Sequence, residues 1–551
     1  MPTRRDVLAT FLGASFSAIA CRRPQPSPSR TGDLLAPNHE RGHLIRDGAL
    51  LAKFAGPDLP TRSVKVAIVG GGPAGLSAAW RLVRAGLAGP DDVAIFELED
   101  VAGGTSRGGE SAVSRYPWGA HYVPVPSPEA KALIVLFQEL GVVEGFENDG
   151  TPEIAEHVLC RAPEERLYHR GYWYEGLYLH VGATSADFAQ FRAFKKELAR
   201  WNQWRDAKGR HAFVIPLARA SDDAEVLALD KISMSAWMRA RGFDSPRLRW
   251  LVDYGCRDDY ALSIDEASAW AGLFYFVSRM GGDDQSSELM TWPDGNARLV
   301  RYLAELAGPR LQTGVAVVDV APREGGGARL GVVDRDGTAR RVHAERVIVT
   351  APRYVARKIV APLRDAPLLS ATADAEARAF DYGAWAVANL HLSGRAAASG
   401  VPFAWDNVLY ESPSLGYVVA THQTGVDHGP TVWTWYYAIT GDGKAAREKL
   451  LAATHHEWAD VAVSDLTRAH RDLGQLLERV DVFRWGHAMT RPIVGQRAAL
   501  ASLRTTAPIG PVHFAHTDLS GVALFEEAHD HGVRAAEEVV AALGLSVPSI
   551  R

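Results

Sequence analysis

Between positions 64 and 97 the chain carries a pattern that leaves few folds open to it. Val64-Lys65-Val66-Ala67-Ile68-Val69 is a short β-branched run of the kind that forms a buried parallel strand. It runs straight into Gly70-Gly71-Gly72-Pro73-Ala74-Gly75 and then into an Ala-rich helical stretch over 76–82. Gly70, Gly72 and Gly75 occupy the glycine positions of a dinucleotide-binding turn. The first permits the tight turn, the second lets backbone N–H groups approach a pyrophosphate, and the third lets helix pack closely on strand. The helix N-terminus behind them offers free N–H donors and a partial positive charge to phosphate. A second strand, Val93-Ala94-Ile95-Phe96, ends in Glu97, a carboxylate placed to accept hydrogen bonds from both adenosine ribose hydroxyls. Strand, glycine turn, helix, strand and acid in this order predict a Rossmann-like α/β domain that binds a dinucleotide.

The chain is long for one such domain. Its 551 residues predict roughly two to four domains at about 100–200 residues each. Sixty Lys and Arg face 65 Asp and Glu, for a net charge of −5. So balanced a surface argues against nucleic acid as a partner, which calls for a strongly basic face. Three cysteines, Cys21, Cys160 and Cys256, are too few for a disulfide framework or a thiolate metal cluster. His513, His516, His529 and His531 cluster with Asp518 and Asp530, but His529 and His531 lie two apart on an expected helix and face different ways, so no metal site is expected.

The first residues read as an address. Thr3-Arg4-Arg5-Asp6-Val7-Leu8 precedes a short apolar stretch over 7–20, which resembles a twin-arginine export signal. Ser17-Ala18-Ile19-Ala20-Cys21 is similar to a lipoprotein cleavage site with Cys21 as the lipidated residue, and the small residues fit simple secretion equally well. Residues 22–30, rich in Pro and Ser, read as a tether outside the fold, which is expected to begin near Arg62. Export to the periplasm, as a free or lipid-anchored protein, is the expectation, and no later segment has 18 consecutive apolar residues.

The segments beyond Glu97 decide which dinucleotide is expected. Gly103-Gly104-Thr105-Ser106-Arg107 and Tyr116-Pro117-Trp118-Gly119-Ala120-His121-Tyr122 resemble segments of the flavin-dependent amine oxidase superfamily, which includes protoporphyrinogen oxidases and phytoene-type desaturases. Trp292-Pro293-Asp294-Gly295-Asn296 is similar to the family's segment that opens a helix, and Arg346-Val347-Ile348-Val349-Thr350-Ala351-Pro352 to its strand before the substrate domain. Phe514-Ala515-His516-Thr517-Asp518, followed by a helix over 526–543, resembles the closing motif. The resemblance implies FAD. Gly103 and Gly104 would adjoin its phosphates, Arg107 would contact them, and Gly119 and Ala120 would run beneath the flavin. Val317 would meet the adenine through its backbone, Asp518 would bind the ribityl chain, and the helix N-terminus around Phe525 would face the pyrimidine edge. The family pattern has Arg directly after the Gly pair and Gly-Glu where this chain has His516-Thr517, so Arg107 and Asp518 stand displaced. A β-meander is expected around Asp334-Arg335-Asp336-Gly337.

The fold expected is thus α/β: a Rossmann-like FAD-binding domain with a β-meander (62–125, 286–362, 485–551) and a mixed α+β substrate domain inserted in it (126–285, 363–484). Helical periodicity falls over 129–140, 187–207 and 233–241. In Thr431-Val432-Trp433-Thr434-Trp435-Tyr436-Tyr437, alternation puts Trp433, Trp435 and Tyr437 on one face. Amine oxidases stand two aromatic rings over the flavin, which makes Trp435 and Tyr437 candidates, although plain aromatic packing reads equally well. His487 and Trp485 would wall the cavity. Relatives carry a lysine near flavin N5 five residues after the strand's proline; here Arg357 is at five and Lys358 at six, so Lys358 is the candidate. The function expected is oxidation of a small amine by hydride transfer to flavin N5, with dioxygen as electron acceptor. Oxidation of carbon–carbon bonds, or flavin binding without catalysis, are the alternatives left open.

Overall fold

The computed structural model describes residues 31–56, 59–281, 288–366 and 370–551, and the twin arginines, the tether and Cys21 lie outside them. Two sheets organise the chain. In the first, the strands Leu311–Gln312, Val93–Phe96, Thr61–Val69 and Ala339–Val349 lie side by side and parallel, and Val512–Phe514 joins on Ala339–Val349, also parallel. These strands are buried on both faces, which is why Val66, Ile68, Val93 and Ile95 read as an unbroken apolar run. Ala316–Pro322 and Ala328–Val333 extend the sheet as an antiparallel meander whose last turn is the expected one at Asp334 to Gly337. The run 311–320 is divided between the strands Leu311–Gln312 and Ala316–Pro322, where Gly314 turns the chain through φ +71°.

The helix Phe525–Ala542 packs along Pro73–Arg84. At Gly532 a Cβ would stand 2.3 Å from the Ala74 carbonyl oxygen, so glycine sets how closely these two helices approach. The second sheet has eight strands in the order Leu34–Leu35, Leu477–Thr490, Tyr382–Leu392, Thr431–Ile439, Tyr417–Val419, Asp406–Leu409, Glu165–His169, Tyr172–Glu175. Helices Ser185–Gln203, Met234–Ala240, Pro246–Tyr260 and Ala269–Val277 form a separate apolar cluster around Trp201, Trp237 and Trp270. Among the described residues no helix is long and apolar enough to cross a membrane.

The fold begins well before Arg62. An N-terminal arm over 31–56 adds Leu34–Leu35 in parallel to Val482 and Phe483 of the second sheet, then crosses to the first. There the Asn38 N–H donates to the Glu99 carboxylate at 2.7 Å, and the Arg41 guanidinium donates to the carbonyls of Gly314, Val333 and Asp334 at 2.8, 2.9 and 3.2 Å. Leu50 is buried among Ala316, Val318 and Val333.

Candidate active site

A cleft of about 700 Å³ opens over the C-terminal ends of the parallel strands, lined there by Val69, Phe96 and Thr350, where ligands of open α/β sheets bind. Gly70 turns the chain out of the first strand at φ +109°. A Cβ on Gly75 would lie 2.0 Å from the Gly70 carbonyl oxygen, so no larger residue fits between strand and helix. A Cβ on Gly72 would meet nothing within 4 Å and lies where the wall of the cleft is open. The Gly103 N–H donates to the Gly71 carbonyl at 2.9 Å, which brings Gly104 to the cleft wall. The Glu97 carboxylate accepts from the N–H groups of Gly71 (2.6 Å) and Glu99 (2.8 Å), and burial raises its pKa in spite of them. Arg107 lies over the rings of Phe483 and Trp485 at 5.1 Å, pairs with Glu99 at 3.4 Å, and keeps a buried Nε with no partner on the cleft. Val317 lines the cleft, as do Val315 and Thr350, and the sheet register slips between Val317 and Asp319.

At the other end Asp518 is buried. One oxygen accepts from the Arg353 N–H at 2.8 Å and the Tyr382 hydroxyl at 2.6 Å, and the other faces His516 Nδ1 at 3.1 Å. Burial alone would raise its pKa, but His516 and these two donors hold it low, so the carboxylate is charged. Gly119 passes so close to the Thr105 carbonyl that a Cβ would sit 2.2 Å from it, and the Ala120 N–H donates to the same oxygen at 3.1 Å.

A smaller cavity of about 110 Å³ adjoins the cleft. Both are lined by Thr105, Ala120, Trp485, Leu524 and Phe525. The small cavity adds His121, Tyr122, Tyr436, Asp258, Asp259, Arg279 and Glu526. His121 stacks on Tyr436 with ring centroids 4.7 Å apart, and burial pushes its pKa down to about 4. Its Nδ1 lies 3.3 Å from the Gly119 carbonyl, which also accepts from the Tyr436 hydroxyl at 2.9 Å. A carbonyl only accepts, so Nδ1 carries the ring proton and Nε2 is an acceptor.

Three candidates stand elsewhere than the sequence suggested. Trp435 and Tyr437 do share a face, but it is turned away from the cavity. The Trp435 Nε1 donates to Asp465 at 3.0 Å, and Tyr437 packs on Trp458. That face is covered by the helix His455–Thr467, and the opposite face presents Tyr436 to the cavity. Lys358 lies exposed on the helix Arg353–Ile359, which packs against the arm helix His39–Arg46, so it lines the cleft but not the small cavity. Among the described lining residues of that cavity no lysine occurs. His487 lines the cleft, stacked on Tyr354 at 4.5 Å; loss of solvation, aided by Arg447, lowers its pKa to about 4. The sequence reading missed the acidic residues, His121, Tyr436 and the arm. Asp258 and Asp259, charged residues on the inward side of Pro246–Tyr260, were the one available signal.

A sequence profile of flavin-containing amine oxidoreductases matches residues 73–540. The chain belongs to that family. AofH of Mycobacterium tuberculosis, assigned as a flavin-containing monoamine oxidase, is 26% identical over 88% of this chain and 98% of its own. The Serratia oxidoreductase PigB is 25% identical over 51% of the chain, which spans under half of PigB, 42%. A wild-type putrescine oxidase bound to putrescine superposes with a TM-score of 0.61 at 20% identity, over 88% of this chain and all of the other, a likeness of fold. As a flavin-containing amine oxidoreductase the protein uses FAD, and the cleft fits it. Gly72 leaves room for the pyrophosphate, Arg107 Nε lacks an acceptor, and Glu97 and Asp518 offer carboxylate oxygens at two separate points of the cleft. Among the described residues no group of three His, Cys, Asp or Glu could hold a metal. His513 pairs with Glu538 and His529 with Ser77.

Two predictions arise from these features. Arg41→Ala frees three carbonyls that the arm holds beside the cleft. Each lost charge-assisted bond is worth about 1–3 kcal/mol, so flavin release on dilution should speed up on the order of tenfold; an unchanged release rate would show that the arm does not guard the cofactor. The second concerns pH. Burial raises Glu526 and Asp258 to about 7 and Glu527 to about 8. These groups hold protons more tightly folded than unfolded, so the stability they contribute is complete below about pH 4 and is lost as pH rises through 7 to 8. Buried His121, His470 and His529, lowered to about 4, act in the opposite sense but only below about pH 6.5. Between pH 6.5 and 8.5 the acids act alone, and the protein should lose about 2–4 kcal/mol, read as a melting midpoint lower by several degrees. A flat profile would mean that these carboxyls are ionised when buried.

Proposed function

We propose that this protein oxidises a small amine at the carbon next to nitrogen, with dioxygen as the final electron acceptor. The observation that carries this reading is the small cavity that meets the FAD cleft at Ala120, Trp485 and Phe525 and is walled by Tyr436, Tyr122 and His121. FAD, when bound, supplies the hydride acceptor and hands electrons on to dioxygen. The chain's own part is to position, to desolvate and to keep the reacting nitrogen neutral. Nε2 of His121, held unprotonated by burial, accepts a hydrogen bond from the amine N–H and leaves the nitrogen lone pair directed at the carbon that gives up hydride. Tyr436, locked to the Gly119 carbonyl, holds the ring on which His121 stacks, and Trp385 and Val387 add to the cavity wall.

The test is anaerobic: amines are mixed with the flavin-loaded protein, flavin absorbance is followed, and peroxide is measured on admitting air. Bleaching by amines, faster as pH rises through the amine's own pKa, is the expected result. Flavin that no amine reduces, but that a carbon–carbon substrate does, would replace this reading with a desaturase. We extend the proposal to export through the twin-arginine signal at Arg4-Arg5, with Cys21 as a lipid anchor. Fractionation of cells expressing the Arg4→Lys, Arg5→Lys double variant should find the protein retained in the cytoplasm, and Cys21→Ser should free it from the membrane.

A further inference from the structure

The small cavity holds more carboxyl groups than its own fold pairs with donors. Arg279 donates to Asp259 at 2.6 Å; burial opposes the charge on the arginine, but Asp259 keeps it protonated. The arginine's charge also reaches Asp258 and Glu526 across the cavity, but among the described residues it makes an ion pair with neither. Both of these carboxyls face the same space. Among the described residues the Asp258 side chain accepts only from the Tyr275 hydroxyl, at 3.3 Å. Glu526 is 5% exposed and its buried Oε1 has no hydrogen-bond partner. Neither Asp258 nor Glu526 lines the cleft; both belong to the part of the cavity wall that the cofactor's site does not share. A buried carboxyl oxygen left without a donor is costly, and Glu526 stands buried in the first turn of the helix Phe525–Ala542.

A donor that came with the substrate would satisfy both groups. On the reading that the substrate is an amine, we propose that Asp258 and Glu526 form a subsite for a second, cationic nitrogen, so that the substrate is a short diamine. One nitrogen reacts at the flavin while the other, as an ammonium, lies between these two carboxyls. An ammonium has three N–H donors and fits two carboxylates and one further acceptor. A neutral alkyl chain offers these oxygens nothing, so a monoamine would leave them unpaired. The other groups around them, Tyr122, Tyr275 and the Asp259–Arg279 pair, are donors or already matched.

The test compares straight-chain α,ω-diamines of three to six carbons with n-alkylamines of the same lengths, as reductants of the flavin-loaded full-length protein without oxygen. The rate of flavin bleaching against concentration gives both a limiting rate and a Kd. The proposal expects the best diamine to bind at least tenfold more tightly than its monoamine, and Asp258→Asn and Glu526→Gln each to erase that advantage while monoamine Kd changes less than twofold. Flavin content and melting midpoint of the variants report their folding. Should a variant not fold, the wild-type series decides alone. Monoamines that bind as well as diamines would overturn the subsite and leave amine oxidation standing; flavin untouched by either series would remove both readings.

Discussion

Gly75→Val strips the protein of its flavin. The Cβ of any larger residue there would lie 2.0 Å from the Gly70 carbonyl oxygen and 2.9 Å from Thr350 Oγ1, which itself donates to the Val69 and Gly70 carbonyls. Neither neighbour can retreat: one is backbone at the turn, and the other ties two parallel strands together. The turn must therefore open, and the N–H groups that begin the helix Pro73–Arg84 leave the wall of the cleft. The expected loss in FAD affinity is a hundredfold or more, about 3 kcal/mol, with a fall in melting midpoint. Gly72→Ala is the contrast. Its Cβ meets nothing within 4 Å, so melting should stay put in the cofactor-free protein while flavin retention drops. The ratio of flavin to protein absorbance after gel filtration measures both, and a fully yellow Gly75→Val protein would refute this account of the turn.

The second large effect separates two neighbouring tyrosines. Tyr436→Ala removes the hydroxyl that holds the Gly119 carbonyl at 2.9 Å and the ring on which His121 stacks, both at the cavity wall. Loss of positioning on this scale costs on the order of 10–100-fold in kcat/KM. Tyr437→Ala cuts a half-buried ring on the far side of the sheet, beside Trp458 and Lys449, and should lower the melting midpoint with kcat/KM within about twofold. Phenylalanine at 436 keeps the ring and drops only the hydroxyl, so its effect should fall between. If alanine at 437 harms turnover more than alanine at 436, the assignment of faces is wrong.

These two cases mark what the sequence made legible. The glycine turn was readable because its geometry is local: Gly70, Gly72 and Gly75 are set by the turn they belong to, and Glu97 closes the next strand. The pairing of Trp435 with Tyr437 was equally readable, since strand alternation is local. Which of the two faces meets the cavity is not local. It depends on the order of eight strands and on the helix His455–Thr467 that covers one side. The arm eluded the sequence for a similar reason, since Leu34 and Leu35 form two pairs with residues more than four hundred positions away and have no periodicity of their own. The acidic cavity unites Asp258 and Asp259 with Arg279 and Glu526, drawn from two helices and from the turn after a third, whose proximity no spacing rule states.

The first sheet is completed from its far end. Val512–Phe514 lies against Ala339–Val349, and the helix Phe525–Ala542 packs on the glycine-turn helix with Gly532 at the crossing. On a ribosome, where the chain emerges N-terminus first, the glycine turn is made early, yet the walls supplied by Asp518 and Phe525 follow more than four hundred residues later. Flavin capture therefore waits on the closing segment: the chain must be made through that helix before it can become holoprotein. Nonsense or frameshift lesions anywhere upstream of the closing helix should yield colourless protein, however much of the sequence precedes them.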